Sequence, residues 1–324
     1  MDYHKKYLDP SILSKLSNLE LKAKFIVEGF IAGLHKSPYH GFSVEFAEHR
    51  QYMPGDDLKY LDWKVLGRTD RYYIKQYEEE TNLKSYLILD SSKSMSFNSS
   101  SPEYSSFSTF KKLFRKQSGG SNAISYSGIT KLEYATYLAA SISILMSFQK
   151  DAVGLVVYDE NIYTYIPPKA TNQNLKILLN HLSNIKGSGK TNTADALNSV
   201  AERIKRRGLV IIFSDLFDDP KKVINSLKHF RYKKNEVIVF QILDKMEMNF
   251  SIDSPTIFKD METNKELMSQ PISFMQSYKE AIQEFIGNYR KACRMNDIDY
   301  VLISTQTPFE KALLEYLNKR KLLN

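Results

Sequence analysis

From residue 83 onward, short apolar runs alternate with longer stretches whose apolar residues recur every three or four positions. The runs at 83–89, 152–158, 162–166, 209–213, 236–242 and 300–303 are mostly near-continuous Val, Ile and Leu, which predicts strands buried on both faces. Segments 131–148, 172–182, 193–206, 220–229, 274–290 and 308–319 read as helices. Such alternation predicts a mainly parallel, doubly wound sheet in a three-layer α/β/α (Rossmann-like) domain. The runs 152–158 and 162–166 are separated by Asp159-Glu-Asn alone. That is too short for a helical crossover and predicts a hairpin, hence one antiparallel edge strand.

The first 82 residues follow a different pattern. Apolar residues over 11–35 predict one helix. A dense block at 35–80 contains the turn Met53-Pro-Gly-Asp-Asp57, where Pro54 pre-sets φ and Gly55 permits a positive one. A strand is expected at 72–77, and Trp63 with Tyr60, Leu61 and Val65 is expected to anchor the block against the sheet. The charges of Glu45, Glu48, Arg50, Asp56, Asp57, Asp62 and Arg68 suit an internal ion-pair network. The chain therefore divides into a helical and β-rich extension, 1–82, and a sheet domain, 83–324. Residues 96–129 interrupt the latter with 11 serines and Gly119-Gly120. This composition reads as an insertion between a strand and its helix.

Composition removes several function classes. At 42% hydrophobic and 25% charged, 324 residues bury a substantial core. No apolar run reaches the roughly 18 residues of a membrane span, and the start, Met-Asp-Tyr-His-Lys-Lys, is too polar for a secretory signal. A soluble cytoplasmic protein is expected. The lone cysteine, Cys293, excludes an intramolecular disulfide and any Cys-rich metal site, and is expected to pack as a small apolar residue. The six histidines are dispersed, with no metal-ligand spacing and no catalytic triad. The net charge is +8, yet residues 1–82 are balanced, with 12 basic against 13 acidic side chains. The excess therefore belongs to the sheet domain. Arg203-Ile-Lys-Arg-Arg207, followed by Gly208, reads as the basic end of a helix. No aromatic stacking motif accompanies it, so nucleic-acid binding is not expected.

The chemistry concentrates at strand ends, where open α/β sheets place their ligands. The first core strand ends in Asp90-Ser-Ser-Lys-Ser94 and the fourth in Ser214-Asp215, while Gly187-Ser-Gly-Lys-Thr191 precedes a helix. These loops offer two carboxylates and several hydroxyls, hard oxygen donors suited to Mg2+ or Mn2+. A reading in another class, a nucleotide-dependent enzyme, would use Gly189, Lys190, Thr191 and Asp215 as a phosphate loop. That motif requires glycine where Asn184 stands, and a strand directly before the loop. An aspartyl-phosphate enzyme would need a second acidic residue at Ser92.

The set Asp90, Ser92, Ser94, Thr191 and Asp215 resembles the metal-ion-dependent adhesion site of von Willebrand factor A domains, with every position filled. The resemblance implies hydroxyl ligation by Ser92, Ser94 and Thr191, with Asp90 and Asp215 acting mostly through water or hydrogen bonds. It also implies a non-enzymatic module that captures an acidic partner. Upstream stand Gly41-Phe-Ser-Val-Glu45-Phe46-Ala-Glu48-His-Arg50, then Tyr52-Met-Pro54-Gly55-Asp56-Asp57, Asp62-Trp63 and Gly67-Arg68. This block is similar to the signature of an uncharacterised bacterial family that carries a von Willebrand factor A-like domain. Members are found with MoxR-type AAA+ ATPases. The resemblance implies an adaptor or co-chaperone that joins such an ATPase to a client protein offering a carboxylate. An uncovered Ser/Gly-rich insertion is the preferred nicking site, so limited proteolysis is expected to cut first between Phe97 and Gly128. First cuts within 35–80 would contradict the two-part division.

Overall fold

The computed structural model describes residues 18–34, 49–53, 61, 63–75, 83–99, 128–205, 207–249, 256–259, 266–269 and 271–323. Helix α1 (Leu19–Leu34), strand β1 (His49–Gln51), helix α2 (Trp63–Thr69) and strand β2 (Tyr73–Lys75) precede the sheet domain. There β3 (Lys84–Asp90) leads by way of a single 3-10 turn (Lys93–Ser96) to α3 (Lys131–Phe148), then β4 (Ala152–Tyr158), β5 (Ile162–Lys169) and α4 (Asn172–Ser183). Helix α5 (Thr193–Arg203), β6 (Leu209–Ser214), α6 (Pro220–Tyr232) and β7 (Glu236–Leu243) follow. The chain ends with α7 (Lys245–Met248), β8 (Thr256–Lys259), β9 (Glu266–Ser269), α8 (Pro271–Met295), β10 (Asp299–Ser304) and α9 (Phe309–Leu323).

The six-stranded sheet runs in the order β5-β4-β3-β6-β7-β10. All neighbours are parallel except β4 and β5, whose antiparallel pairing is the predicted hairpin. β5 extends to Lys169 through Pro167 and Pro168, which an edge strand tolerates because one side needs no ladder hydrogen bonds. The order reverses between β3 and β6, so the connections leaving these two strands diverge and open a crevice at their carboxyl ends.

Alternate strand residues feed two cores. Leu87, Leu89, Leu155, Val157, Ile211, Phe213, Ile238 and Phe240 pack with α1, α3, α4 and α9. Ile88, Val156, Val210, Ile212, Val237 and Val239 pack with α5, α6 and α8. Helix α3 is buried on nearly every side: of residues 131–146, all but Glu133 are buried. A helix apolar all round belongs inside the protein. Ala23, Ile26, Val27 and Phe30 of α1 cover its outer face, with Lys22 Nζ donating to Tyr137 Oη at 2.6 Å.

The expected anchoring by Trp63 is not what the fold shows. Trp63 is 66% exposed, and Leu61 is the buried residue of that stretch. The short strands β8 and β9, absent from the sequence reading, form a separate antiparallel pair. Glu45, Glu48, Asp56, Asp57 and Asp62, and most of the insertion, lie outside the described residues. Cys293 is buried against the second core, and burial pushes its thiol up to about 12, as fits a packing residue.

Gly208, between α5 and β6, lies against β3. A Cβ there would stand 2.1 Å from the Lys84 carbonyl oxygen. Gly208→Ala is therefore expected to cost about 1–3 kcal/mol in urea denaturation, by forcing β3 and β6 apart. Near the same end of the sheet Glu236 accepts from Arg231 and Lys319 at 2.8 Å each, and Lys319 also meets Asp299 at 3.0 Å. Burial alone would raise the Glu236 carboxyl, but the Lys319 and Arg231 hydrogen bonds outweigh it and hold it below its ordinary 4.5. A depressed carboxyl contributes stability above its unfolded value and loses it as pH falls through the folded one. The stability difference between the parent and Glu236→Gln should therefore be present near neutral pH, at most about 1 kcal/mol for a partly exposed group. It should be lost as the pH falls below the ordinary 4.5 and through the depressed folded value; a difference independent of pH would contradict the pairing.

Candidate metal centre at the switch point

Of the residues singled out in the sequence, Asp90, Ser92, Ser94 and Asp215 come together at the carboxyl ends of β3 and β6. Asp90 ends β3 and Asp215 follows β6; both are fully buried, as is Ser92. Asp90 Oδ1 accepts from the Ser92 backbone N–H at 2.9 Å, and Oδ2 accepts from Ser214 Oγ at 2.6 Å. Ser214 Oγ in turn accepts from the Leu216 N–H at 2.9 Å. That hydroxyl thus ties the two strand ends together. Leu216 itself has φ +60°, a left-handed conformation unusual for a non-glycine residue, immediately after Asp215.

The turn after Asp90 brings two hydroxyls together. Ser92 Oγ and Ser94 Oγ are 3.1 Å apart. The loop before α5 is hydrogen-bonded to this turn, with Ser188 N donating to Ser91 O at 2.9 Å and Lys93 N to Gly189 O at 3.3 Å. Gly189 has φ +70°, and a Cβ on it would meet Asp159 Oδ2 at 2.8 Å, so the close approach requires glycine. Thr191, half-buried, follows two residues later. A cleft of about 340 Å³ lined by Asp159, Tyr163, His181, Lys186 and Ser188 flanks the loop.

Asp215 has a partner that the sequence reading missed. Lys131, the first residue of α3, places Nζ 2.8 Å from Asp215 Oδ2 and 2.6 Å from Glu247 Oε1, with its side chain at 0% exposure. Asp215 Oδ1 accepts from the Phe217 N–H at 3.1 Å. Two capping boxes fix the geometry. Thr130 and Glu133 exchange hydrogen bonds at the start of α3. Asp244 and Glu247 do so at the start of α7, leaving Glu247 Oε1 for Lys131. A signal for Lys131 did exist: a lysine in the first helical turn opposes the helix dipole, and so marks a helix start where a nearby carboxylate compensates.

Burial, reinforced by the Asp215 charge, pushes the Asp90 carboxyl up to about 6, against lowering hydrogen bonds from Ser214 and Ser92. Burial alone would lower the Lys131 ammonium, but Asp215 and Glu247 outweigh it and hold it above its ordinary range. Burial raises the Glu247 carboxyl despite Lys131. The cluster thus holds three carboxylates and one ammonium, two negative charges in excess when all are ionised.

The chemistry of this donor set, hydroxyls beside carboxylates, fits a hard divalent cation. Two oxygens on one octahedral edge around Mg2+, at about 2.1 Å, stand about 3.0 Å apart, close to the Ser92–Ser94 separation of 3.1 Å. Among the described residues no group of three or more His, Cys, Asp or Glu side chains is arranged to hold a metal. Burial, reinforced by the Asp90 charge, raises the Tyr158 hydroxyl well above its ordinary range, against lowering hydrogen bonds with Thr193 and Ser214. The phosphate-loop alternative meets a mismatch, since the loop at 187–191 follows helix α4 rather than a strand and Lys190 is exposed.

The sequence is similar to two uncharacterized mycobacterial proteins, Rv1480 of Mycobacterium tuberculosis and Mb1516 of Mycobacterium bovis. Each is 24% identical over 260 residues, covering 79% of this chain and 72% of the relative. The fold is similar to that of the conserved hypothetical protein BatB from Bacteroides thetaiotaomicron, with 15% identity and a TM-score of 0.43 over 74% of this chain and 99% of that one. It is also similar to a von Willebrand factor type A protein from Catenulispora acidiphila, with 12% identity and a TM-score of 0.30 over 62% and 42% of the two chains. The family model for "Protein of unknown function DUF58" matches residues 48–106 and 114–284. Those residues include Asp90, Ser92, Ser94, Thr191 and Asp215, and the chain belongs to the DUF58 family.

Proposed function

We propose that this protein is a non-enzymatic, divalent-metal-dependent protein-binding module, with Ser92, Ser94 and Thr191 holding Mg2+ or Mn2+ and Asp90 and Asp215 acting around it. The observation that carries this reading is the meeting of the two seryl hydroxyls with two buried carboxylates at the point where the strand order reverses. Neutral hydroxyl ligands leave most of the ion's charge in place, so it retains affinity for a carboxylate from outside. Asp90 and Ser214 keep the serine turn in position, and the buried surroundings strengthen any charge pairing made there.

In this reading the partner contributes an acidic side chain, and the module works as an adaptor or co-chaperone of a MoxR-type AAA+ ATPase, delivering a client protein. Support for the ATPase comes from the block at 35–80, which resembles the signature of the family found with such enzymes. The exposed Trp63, Met53 and Tyr72 in that block give an ATPase apolar and aromatic side chains to contact. Among the described residues no helix is long and apolar enough to cross a membrane, which suits a module that meets its partners in water.

The test separates folding from binding. Ser92→Ala with Ser94→Ala removes two hydroxyls and little apolar burial, so its melt should stay within about 1 kcal/mol of the parent. The parent should bind Mn2+ with modest affinity by calorimetry, the double variant should not, and zinc should not bind tightly to either. Mn2+ binding that survives the double substitution, or Asp90→Ala, would contradict the assignment.

A further inference from the structure

Lys131 is wholly buried, a rare state for lysine that requires pairing. Its ammonium meets Asp215 Oδ2 and Glu247 Oε1, and lies 4.9 Å from the Phe217 ring centroid and 6.0 Å from that of Phe97. Both oxygens of Asp215 are engaged, one by Lys131 and the other by the Phe217 N–H. We propose that Lys131 is a tethered cation that keeps Asp215 out of the coordination shell of the divalent ion, and so sets the affinity of the site. The inference rests on the metal reading above and adds to it the residue that determines how tightly the ion is held.

The charge arithmetic supports this role. With Lys131, the carboxylates of Asp90, Asp215 and Glu247 leave two negative charges when all are ionised, and Asp215 Oδ2 is taken by the ammonium. Without it there are three, and Asp215 Oδ2 becomes an anionic ligand. Affinity for hard divalent cations rises with the number of charged oxygen ligands. Each such ligand also removes charge that the ion would otherwise offer to an acidic partner. A fixed ammonium on Asp215 therefore favours a weakly held, strongly electrophilic ion over a tightly held, neutralised one. The capping box at Thr130 and the burial of α3 hold the ammonium in place before any metal arrives.

Two variants decide the matter. Lys131→Met removes the ammonium and leaves the cluster at three negative charges. Lys131→Met with Glu247→Gln returns it to two, as in the parent, while freeing Asp215 and keeping an acceptor for the α7 cap. Mn2+ affinity is measured by electron paramagnetic resonance, and melting with and without Mn2+. Both variants should bind Mn2+ at least about tenfold more tightly than the parent, melt lower than the parent in chelator, and recover when Mn2+ is added. Parent-like or weaker affinity in a cooperatively melting double variant overturns the role of Lys131 and leaves the metal reading intact, because the parent still binds. A double variant that stays unfolded even in excess Mn2+ also overturns it. Absence of Mn2+ binding in all three proteins overturns the metal reading and this inference together.

Discussion

Asp215 is a carboxylate shut away from water, and the buried ammonium of Lys131 offsets its charge. The cost of desolvating these groups is several kcal/mol per ion and is offset only by good geometry. Here the geometry comes from the ends of three elements: β6 presents Asp215, the first turn of α3 presents Lys131, and the short α7 presents Glu247. Removing the ammonium alone would strand two buried charges. The order of these elements around the crevice is accordingly constrained by electrostatics as well as by apolar packing.

The apolar packing explains why the crevice lies where it does. A parallel sheet buried on both faces leaves its polar chemistry to the strand ends, and the reversal between β3 and β6 is the one place in this sheet where diverging connections leave room. Asp90 is held by Ser214 from across that gap, and the Gly187–Thr191 loop is hydrogen-bonded to the same turn. Ser92, fully buried, and Ser94, half-buried, stand on the turn that these strand ends hold.

The strands were legible because burial on both faces leaves continuous Val/Ile/Leu runs; β4 and α3 occupy the residues expected of them. The three-residue spacer Asp159-Glu-Asn sufficed to orient β5. The gathering of Asp90, Ser92, Ser94 and Asp215 was legible from strand ends and order. Lys131 was not, because it is separated from Asp215 by 84 residues and sequence pattern carries no distance. Its place opposite the helix dipole was the available clue, and Glu247 was obscured by belonging to a four-residue helix. Trp63 misled in the other direction: an aromatic residue near apolar neighbours suggested an anchor, yet Leu61 takes the buried position. Periodicity over so short a stretch cannot say which side faces the core.

The measurement closest to the central claim is a crystal structure of the protein grown in Mn2+, with anomalous data collected at the manganese edge. The account requires a peak at about 2.1–2.2 Å from Ser92 Oγ and Ser94 Oγ, with Lys131 Nζ still paired to Asp215. A peak ligated directly by Asp215 with Lys131 displaced would contradict the role given to the lysine. No peak at the crevice in saturating Mn2+ would contradict the metal centre itself.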